Sequence, residues 1–328
     1  MRLTRRIGPY WRYDDTARGQ KYDVLLCCAL LLIPQTVRFG LRPVLLTLAC
    51  AGIGVLTELI CCLIYRIDAV VTDLDSITIG VLCAMLHPAN VALYVPATAV
   101  VFAIAVAKMP FGGTGRTPLN PGAVGLAFAT ICFSVEMFTY PDLTAGTLDL
   151  NLIQAAPAAV AQSPAALLNS GARPNLLLTE LLSGAMVGPI GTTVTVVTVA
   201  AALFLVVRRT INYRIPLCWV LGVAVAAALF PRVSTGRLDS VLIELFTGSI
   251  VFYGIFLLGY SASAPKLPVA QCLYGFVGGL IAMMYRYQGV FEQGGCFTVL
   301  LMNAAGSVFD QAVWRFLYAK KGGTSRET

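Results

Sequence analysis

Long apolar runs alternate with short polar or basic stretches along almost the whole chain. The runs 24–33, 44–65 and 194–207 carry almost no charge. A helix needs about 20 predominantly apolar residues to cross a hydrocarbon core ~30 Å thick, and several runs reach that length. The pattern predicts an all-α polytopic membrane protein with about ten transmembrane helices. The spans are predicted near residues 23–39, 43–65, 77–88, 90–107, 122–138, 181–207, 215–230, 240–260, 267–285 and 295–318.

Two of these predicted spans are interrupted. Segment 77–88 is short and ends at His87-Pro88, and segment 181–207 is broken by Gly188-Pro189-Ile190-Gly191. We therefore expect broken or half helices, with 181–207 forming a half-helix, a kink and a full helix. Backbone that leaves helical hydrogen bonding at membrane depth must be buried in protein or line a wet cavity. Breaks of this kind often mark binding sites in transporters.

Composition excludes an ordinary soluble protein. Of the 328 residues, 58% are apolar and 12% are charged, whereas soluble domains carry about 25% charged residues. One soluble core could not bury so much apolar surface. Because no long polar stretch is available for a second domain, we expect a single transmembrane domain over 23–318. A cytoplasmic segment, 1–22, precedes it, and a cytoplasmic tail, 319–328, follows it.

The basic residues predict the orientation of the spans. The net charge is +7, and lysine and arginine collect between and beyond the apolar runs. This distribution indicates membrane topology and not a nucleic-acid partner. Basic residues in 1–22, 208–214 and 315–326 predict a multi-pass protein of the bacterial cytoplasmic (inner) membrane with both termini in the cytoplasm. The longest connection, about 139–180, then lies outside. Four arginines on the same side count against this orientation: Arg38, Arg42, Arg232 and Arg237.

The cysteines and the single histidine form no recognisable metal or catalytic motif. None of the ten cysteines lies in a C-x-x-C pair, and they stand in or beside apolar runs, where a thiol behaves as a small hydrophobe. The one histidine, His87, cannot build a histidine-based metal site alone. We expect no metal site and assign no catalytic residue, and a site shared between cysteines stays open.

The most distinctive polar segment, Phe111–Gly122, joins two apolar spans. It contains three glycines within four residues, Gly112, Gly113 and Gly115. Glycines let the backbone approach a ligand closely, and their amides can form a nest for an anion. We therefore interpret these three glycines as candidate cofactor-binding residues. The segment is not a dinucleotide fingerprint, because no βαβ pattern surrounds it.

The same segment ends in Asn120-Pro121, which predicts the start of a helix. Asparagine can cap a helix, and proline suits its first turn. A helix N-terminus beside a glycine turn suits a phosphate or an electron-rich ring, and Lys108 and Arg116 add positive charge. Asn120 and Pro121 are therefore candidate cofactor-binding residues. The alternative is a plain connection between two helices.

Three glutamates lie in or near the predicted spans. Glu58 falls inside the second span, where an ionisable group is costly and usually faces protein or water. It either pairs with a basic residue and locks two helices together or stands on an ion path. Glu244 and Glu292 lie nearer to span ends, where we expect a solvated face. Glu292 is kept with Glu58 as a candidate for the ion path.

The glycine-rich segment and the start of the following span resemble a known family. The stretch 111–125, FGGTGRTPLNPGAVG, resembles the G-G-x-G-x-x-x-x-N-P-A-x-V-G signature of RnfD, a membrane component of Rnf-type electron transport complexes. The paralogous NqrB component of the Na⁺-translocating NADH:quinone reductase is similar. Weaker similarities extend over most of the chain in the same order. They lie at 75–82, 184–193 and 286–303.

The resemblance implies a role in redox-driven Na⁺ or H⁺ movement. Members of the family carry an FMN joined by a phosphoester to the threonine of an S-G-A-T motif, and riboflavin is associated with them as a second flavin. Ser170, Gly171 and Ala172 match this motif, but Arg173 stands at the position of the threonine. Arginine has no hydroxyl for a phosphoester. The resemblance therefore implies a non-covalent FMN, with the phosphate held by Arg173, or no FMN.

Two further polar groups of the family are missing. Thr192 stands where the G-x-x-G-x-x-G-E-T stretch has glutamate, and 260–265 lacks the aspartate of T-D-P-x-T-S-P. We nevertheless predict a membrane subunit of an ion-translocating complex that passes electrons between ferredoxin and NAD partners. Its partners would be the other subunits of such a complex, and it would not be catalytic alone. The alternatives are a flavin-free scaffold subunit and a secondary transporter of small solutes.

Overall fold

The computed structural model describes residues 17–66, 74–169, 184, 186–232, 236–259, 263–288 and 294–318. Helices make up almost all of the regular structure of these residues. The exception in the described part of the chain is a short antiparallel ladder. The predicted all-α class is therefore confirmed.

Before the long connection, the described residues of the first half of the chain form six α-helices. They are α1 (Ala17–Phe39), α2 (Arg42–Tyr65), α3 (Asp75–Met85), α4 (Tyr94–Phe102), α5 (Pro121–Cys132) and α6 (Ser134–Met137). The helical path of α4 continues through a π-helical turn, Ala103–Lys108, and a 3-10 turn, Met109–Phe111. Single π-turns of this kind frequently occur at functional sites.

The long connection and the second half contain the remaining elements. Strands β1 (Tyr140–Pro141) and β2 (Val160–Ala161) pair antiparallel, with a 3-10 turn, Leu143–Ala145, between them. In the described residues, the helices that follow are α7 (Pro164–Asn169), α8 (Thr195–Val207), α9 (Arg214–Leu229), α10 (Arg237–Phe246), α11 (Ile250–Phe252), α12 (Pro268–Gln288) and α13 (Gly295–Val313). α11 continues as the π-helix Tyr253–Leu258, and α13 as the π-helix Trp314–Tyr318.

Within the described ranges, five helical segments are long and apolar enough to cross a membrane. A sixth crossing is obtained if α10 and the helix Ile250–Leu258, which are bent by 66° at their break, count as one span. Each of the ten predicted spans overlaps at least one helix, but α3, α5, α8 and α9 are shorter apolar helices of 10–17 residues. The polytopic class is confirmed, whereas ten full-length spans are not.

The predicted helix over 181–207 differs from the observed one. In the described part of this stretch, helix begins only at α8, and residues 186–194 are non-helical. This segment pairs instead with the end of α3: Ile190 N–H donates to the His87 carbonyl at 3.1 Å, and Gly191 N–H to the Met85 carbonyl at 2.6 Å. The interruptions predicted at His87-Pro88 and at Gly188–Gly191 therefore lie against each other. Their backbone groups, which are not in helices, obtain hydrogen-bond partners from one another.

Close helix packing builds the core of the second half. A side-chain carbon on Gly222 of α9 would lie 2.3 Å from the Phe276 carbonyl oxygen of α12, and one on Gly279 would lie 2.3 Å from the Trp219 carbonyl oxygen. Only glycine permits this approach. Trp219 is buried beside the contact and donates its indole N–H to the Ile250 carbonyl at 3.1 Å.

A buried arginine fixes the non-helical connections at the start of α2. The guanidinium of Arg42 donates to the carbonyl oxygens of Asp149 at 2.6 Å and Asn151 at 2.6 Å in the long connection. It also donates to the carbonyls of Ala89 at 3.1 Å and Val91 at 3.1 Å, between α3 and α4. Five N–H donors in a planar fork suit such a set of carbonyls. Arg42 therefore holds two loops together instead of facing solvent.

Candidate functional site

The described residues enclose a cavity that is large enough for a small organic ligand. It has a volume of about 560 Å³ and lies where α1, α3, α5 and α9 begin, within the range of typical ligand pockets. We call this end of the bundle the cavity end. The opposite end, where α2 begins, is called the far end. Ile79, Leu82 and Ile215 supply apolar walls, and threonines and amides supply polar ones.

The glycine-rich segment forms part of this cavity. Gly115, Asn120 and Pro121 line it, whereas Gly112 and Gly113 are not among the lining residues in the described part of the chain. Gly112 and Gly115 adopt positive φ angles of 96° and 79°, which other residues rarely tolerate. The predicted glycine turn therefore exists, but only its second half reaches the cavity.

Asn120 fixes the edge of the cavity at the start of α5. Its Oδ1 accepts hydrogen bonds from the N–H groups of Gly122 at 3.0 Å and Ala123 at 3.4 Å. Its Nδ2 donates to the Leu257 carbonyl at 2.8 Å. Pro121 occupies the first turn. Both polar atoms of the Asn120 side chain therefore have partners within the protein. The side chain holds α5 against the π-helix Tyr253–Leu258, and it contributes to the shape of the cavity more than to hydrogen bonding with a ligand.

A charged cluster forms part of the wall of the cavity, because two of its members, Lys21 and Asp75, line it. Lys108 is 0% exposed, and its Nζ lies 2.7 Å from Glu58 Oε1 and 3.3 Å from Asp75 Oδ2. It also donates to Ser76 Oγ at 2.9 Å. Asp75 Oδ1 lies 3.5 Å from Lys21 Nζ. The charges of the two lysines are thus balanced by two carboxylates.

This cluster revises two interpretations of the sequence. The expectation that Lys108 adds positive charge to the glycine turn is wrong, because Glu58 and Asp75 neutralise it. Glu58 has Lys108 as a basic partner, as the alternative in which it locks two helices together requires. A role of Glu58 in an ion path stays a prediction. The sequence missed Asp75 as a partner because α2, α3 and α4 meet only in the folded protein.

Gln271 of α12 offers an unused acceptor to the cavity. Its side chain is 5% exposed and lines the cavity, and its Nε2 donates to the Pro265 carbonyl at 3.0 Å. Its Oε1 accepts from none of the described residues. A buried polar atom without a partner calls for a water or a ligand group. The cavity therefore combines apolar walls with an orphaned polar atom, as expected for an organic ligand that carries a hydrogen-bond donor.

A second charged cluster lies at the far end and corrects the expectation for Glu244. This residue is 0% exposed instead of solvated. Its Oε2 lies 3.1 Å from Arg286 Nε, and its Oε1 lies 3.5 Å from Arg232 Nε. Arg232 also stacks on the ring of Tyr287 at 4.0 Å and donates to Asn169 Oδ1 at 2.5 Å. Burial lowers the pKa of Arg232, and the carboxylate of Glu244 offsets this only in part.

Several predicted site residues lie outside the described residues. These are Ser170, Gly171, Ala172, Arg173 and Glu292. Among the residues that are described, no group of three or more histidine, cysteine, aspartate or glutamate side chains has the arrangement of a metal site.

Comparisons with known proteins cover nearly the whole chain. The sequence model described as the NQR2, RnfD, RnfE family matches residues 4–318. The chain is 24% identical over 321 residues to the D subunit of the proton-translocating ferredoxin:NAD(+) oxidoreductase complex of Clostridium ljungdahlii, with 97% of this chain and 96% of that protein covered. It is 25% identical, with the same coverage, to the D subunit of the Na(+)-translocating ferredoxin:NAD(+) oxidoreductase complex of Acetobacterium woodii. The D subunit of the ion-translocating oxidoreductase complex of Salmonella dublin is 24% identical over 278 residues, covering 76% of this chain and 79% of that protein.

Proposed function

The chain belongs to the NQR2, RnfD, RnfE family, and on this basis we propose that it is the membrane subunit of an ion-translocating electron transport complex of the Rnf type. The observation that carries the proposal is the end-to-end match to the D subunits of two ferredoxin:NAD(+) oxidoreductase complexes. The complex of one relative is named as proton-translocating and that of the other as Na(+)-translocating. We therefore propose either H⁺ or Na⁺ as the transported ion. Ferredoxin and NAD would be handled by partner subunits.

We propose the bacterial cytoplasmic membrane as its location, with both termini and the cavity end on the cytoplasmic side. The far-end arginines counted against this orientation. Three of the four are bound within the protein: Arg42 and Arg232 are engaged by carbonyls or a carboxylate, and Arg38 donates to the Gly184 carbonyl. The fourth, Arg237, is exposed and still counts against the orientation. The positive-inside bias concerns basic residues in loops. Arginines that are bound within the protein are weak evidence about the side on which a loop lies.

Copurification tests the assembly. The full chain, carrying an affinity tag, is purified in mild detergent from membranes of its own host, and the bound proteins are identified by mass spectrometry. We expect the other subunits of one redox complex in fixed stoichiometry. Isolation of the folded chain without them, under conditions that preserve a known membrane complex of the same host, would contradict the proposal.

We further propose that the cavity binds a non-covalent flavin, and riboflavin fits it better than FMN. A flavin ring supplies one-electron and two-electron transfer when bound. The apolar walls suit the ring, and the orphaned Oε1 of Gln271 suits a donor of the ring or of the ribityl chain. The two buried lysines at the cavity are ion-paired with carboxylates, so neither has an unpaired charge for a phosphate, and a further lysine that lines the cavity, Lys266, is exposed to solvent. An FMN held by Arg173 stays a separate proposal, motivated by the arginine at the attachment position.

Flavin analysis tests this second proposal. The purified protein is denatured, released flavins are separated and quantified by fluorescence, and the denaturing gel is viewed under ultraviolet light. We expect released riboflavin and no fluorescent band of this chain. A fluorescent band would show a covalent flavin and contradict non-covalent binding. Well-folded protein without any flavin would also contradict it, and would favour the flavin-free scaffold.

A further inference from the structure

Two cysteines from different helices meet near the cavity end of the bundle. Cys218 is the fifth residue of α9, and Cys272 is the fifth residue of α12. The thiol of Cys218 lies within hydrogen-bonding reach of the thiol of Cys272. The sequence left a site shared between cysteines open, because these two positions are far apart in the chain. Their contact results from the packing of α9 against α12.

The backbones of α9 and α12 come close together at the level of this pair. A side-chain carbon on Gly275, one turn after Cys272, would lie 2.5 Å from the Ile215 carbonyl oxygen and 3.1 Å from Cys218 Cβ. A disulfide requires Cβ atoms about 3.5–4.5 Å apart, and it cannot bridge helices that stand well separated. Because the contact is made through a glycine, no side chain holds the two helices apart in this turn.

The pair is also accessible from outside the chain. All ten cysteines belong to the described residues, and seven of them are buried. Cys218 and Cys272 are half-buried, and their neighbours Leu217 and Leu273 are 64% and 45% exposed. A small apolar reagent can therefore reach both thiols. Cys218 and Cys272 thus combine mutual contact with access, which the buried cysteines do not.

We propose that Cys218 and Cys272 form an oxidisable dithiol, whose disulfide joins α9 to α12 at the wall of the cavity. The wall is involved because both helices contribute to it close to the pair. Ile215, one turn before Cys218, lines the cavity, and so does Gln271, directly before Cys272. Oxidation would therefore fix the distance between these two parts of the wall.

The oxidant is a low-molecular-weight disulfide. The thiolate of one cysteine attacks it, which breaks its S–S bond, forms a mixed disulfide with the protein and releases one small thiol. The second cysteine then attacks the protein sulfur of the mixed disulfide, which forms the bond between Cys218 and Cys272 and releases the second small thiol. Two electrons pass from the pair to the oxidant, and the two cysteine protons leave with the released thiols.

The side of the membrane decides which state of the pair is normal. In the orientation proposed above, the cavity end faces the cytoplasm, where small thiols keep cysteines reduced. The pair would then respond reversibly to oxidants instead of forming a permanent link. This assignment rests on the proposed function, whereas the disulfide depends only on the contact between the helices, so the two can fail separately.

The experiment maps the disulfide in the full chain. The protein is purified in detergent under reducing, oxygen-free conditions, freed of reductant and treated with dipyridyl disulfide, an apolar small disulfide. Remaining thiols are blocked with N-ethylmaleimide before denaturation, and the protein is digested without reductant for mass spectrometry. We expect peptides joined through Cys218 and Cys272 in most wild-type chains, a monomer on a non-reducing gel, and loss of the link after dithiothreitol.

Single cysteine variants show whether the link is specific. Cys218→Ser and Cys272→Ser should each abolish it and leave the remaining partner as a pyridyl mixed disulfide. The control, Cys132→Ser, removes an exposed cysteine and should leave the link unchanged. If a serine variant does not fold, the corresponding alanine variant takes its place. Separate mixed disulfides on Cys218 and Cys272, or a link from either to another cysteine, would overturn the proposal.

The rate of linking shows whether the contact exists in the folded protein. The link should form at least about tenfold faster in the folded chain than in the chain denatured with dodecyl sulfate, because the contact raises the effective concentration of the second thiol. Equal rates would overturn the proposal. Alkylation in intact cells, before and after the oxidant, tests the cytoplasmic setting. A link already present in untreated cells would contradict the reversible response while leaving the contact established.

Discussion

Lys108 Nζ and Glu58 Oε1 form an ion pair at 2.7 Å that connects the π-turn after α4 with α2. Lys108 is fully buried, and the side chain of Glu58 keeps 21% of its surface exposed. Asp75 and Ser76, from the first turn of α3, complete the surroundings of the ammonium group. Three helical segments therefore meet at one lysine, directly behind the wall of the candidate flavin cavity.

The two partners of this ion pair should differ in their effect on stability. Lys108→Met leaves Glu58 without a cation and should lower the free energy of unfolding by roughly 3 kcal/mol, as expected when a buried pair loses one partner. Glu58→Gln should cost about 1 kcal/mol, because Lys108 keeps Asp75 and Ser76. Thermal or denaturant unfolding in detergent measures both. The exposed Arg116→Gln serves as the control, and equal costs for the two variants would contradict the geometry.

The double variant Glu58→Gln/Lys108→Met gives a second check on the same pair. Removing both charges should be less destabilising than the sum of the two single changes, because neither partner is left buried alone. Strict additivity would show that the two residues do not interact in the folded protein.

The contact between α9 and α12 should be intolerant of a single added methyl group. Gly222→Ala places a carbon 2.3 Å from the Phe276 carbonyl oxygen, so the helices must separate. We expect a loss of about 1–3 kcal/mol, the usual cost of overpacking. The matched control is Gly52→Ala in α2, where the added carbon meets no atom of the described residues within 4 Å. The midpoint of thermal unfolding distinguishes the two, and a similar decrease in both would argue against close packing.

Filling the cavity should remove the proposed flavin. Thr117 lines the cavity without being part of the buried core, so Thr117→Trp should occupy ligand volume and leave the helices in place. We expect the flavin content per protein to fall at least severalfold. The control is Leu30→Trp, at a position of α1 that is 46% exposed and does not line the cavity in the described structure. Unchanged flavin content in Thr117→Trp would place the flavin elsewhere.

Arg42 should control the rigidity of the long connection. Arg42→Lys keeps the charge but replaces a planar group with five donors by a compact ammonium. Several of the carbonyls that Arg42 binds would lose their donors. We expect faster limited proteolysis within residues 142–159, measured on intact membranes or in detergent. Arg237→Lys is the matched control because that side chain is exposed. Equal cleavage rates in the two variants would mean that Arg42 does not anchor the connection.

Local features of the site were predictable because they depend on neighbouring residues. The cap and first turn formed by Asn120-Pro121 involve amides two and three residues away, and such distances are visible in a sequence. The interruption at Gly188–Gly191 was also recognisable, although the helix begins later than predicted. Its pairing with the end of α3 joins residues about one hundred positions apart, so no local pattern indicated it.

Charge pairing was the least predictable property. The sequence left two roles open for Glu58 and suggested a solvated face for Glu244. Both have arginine or lysine partners that lie 42 or 50 positions away along the chain. The burial of Arg42 was equally unexpected, because its acceptors are backbone carbonyls, which every residue carries and no sequence motif marks.

The amino-acid sequence alone was enough to establish a helical membrane protein, because the length and apolarity of its runs can be satisfied only by lipid or by a very large core. It also identified the family, and it located the glycine turn, the helix cap and both interruptions. The folded structure was needed to show which charges neutralise each other and which half of the glycine turn reaches a cavity. Those outcomes depend on how helices from distant parts of the chain pack, and packing brings together groups whose separation in sequence carries no signal.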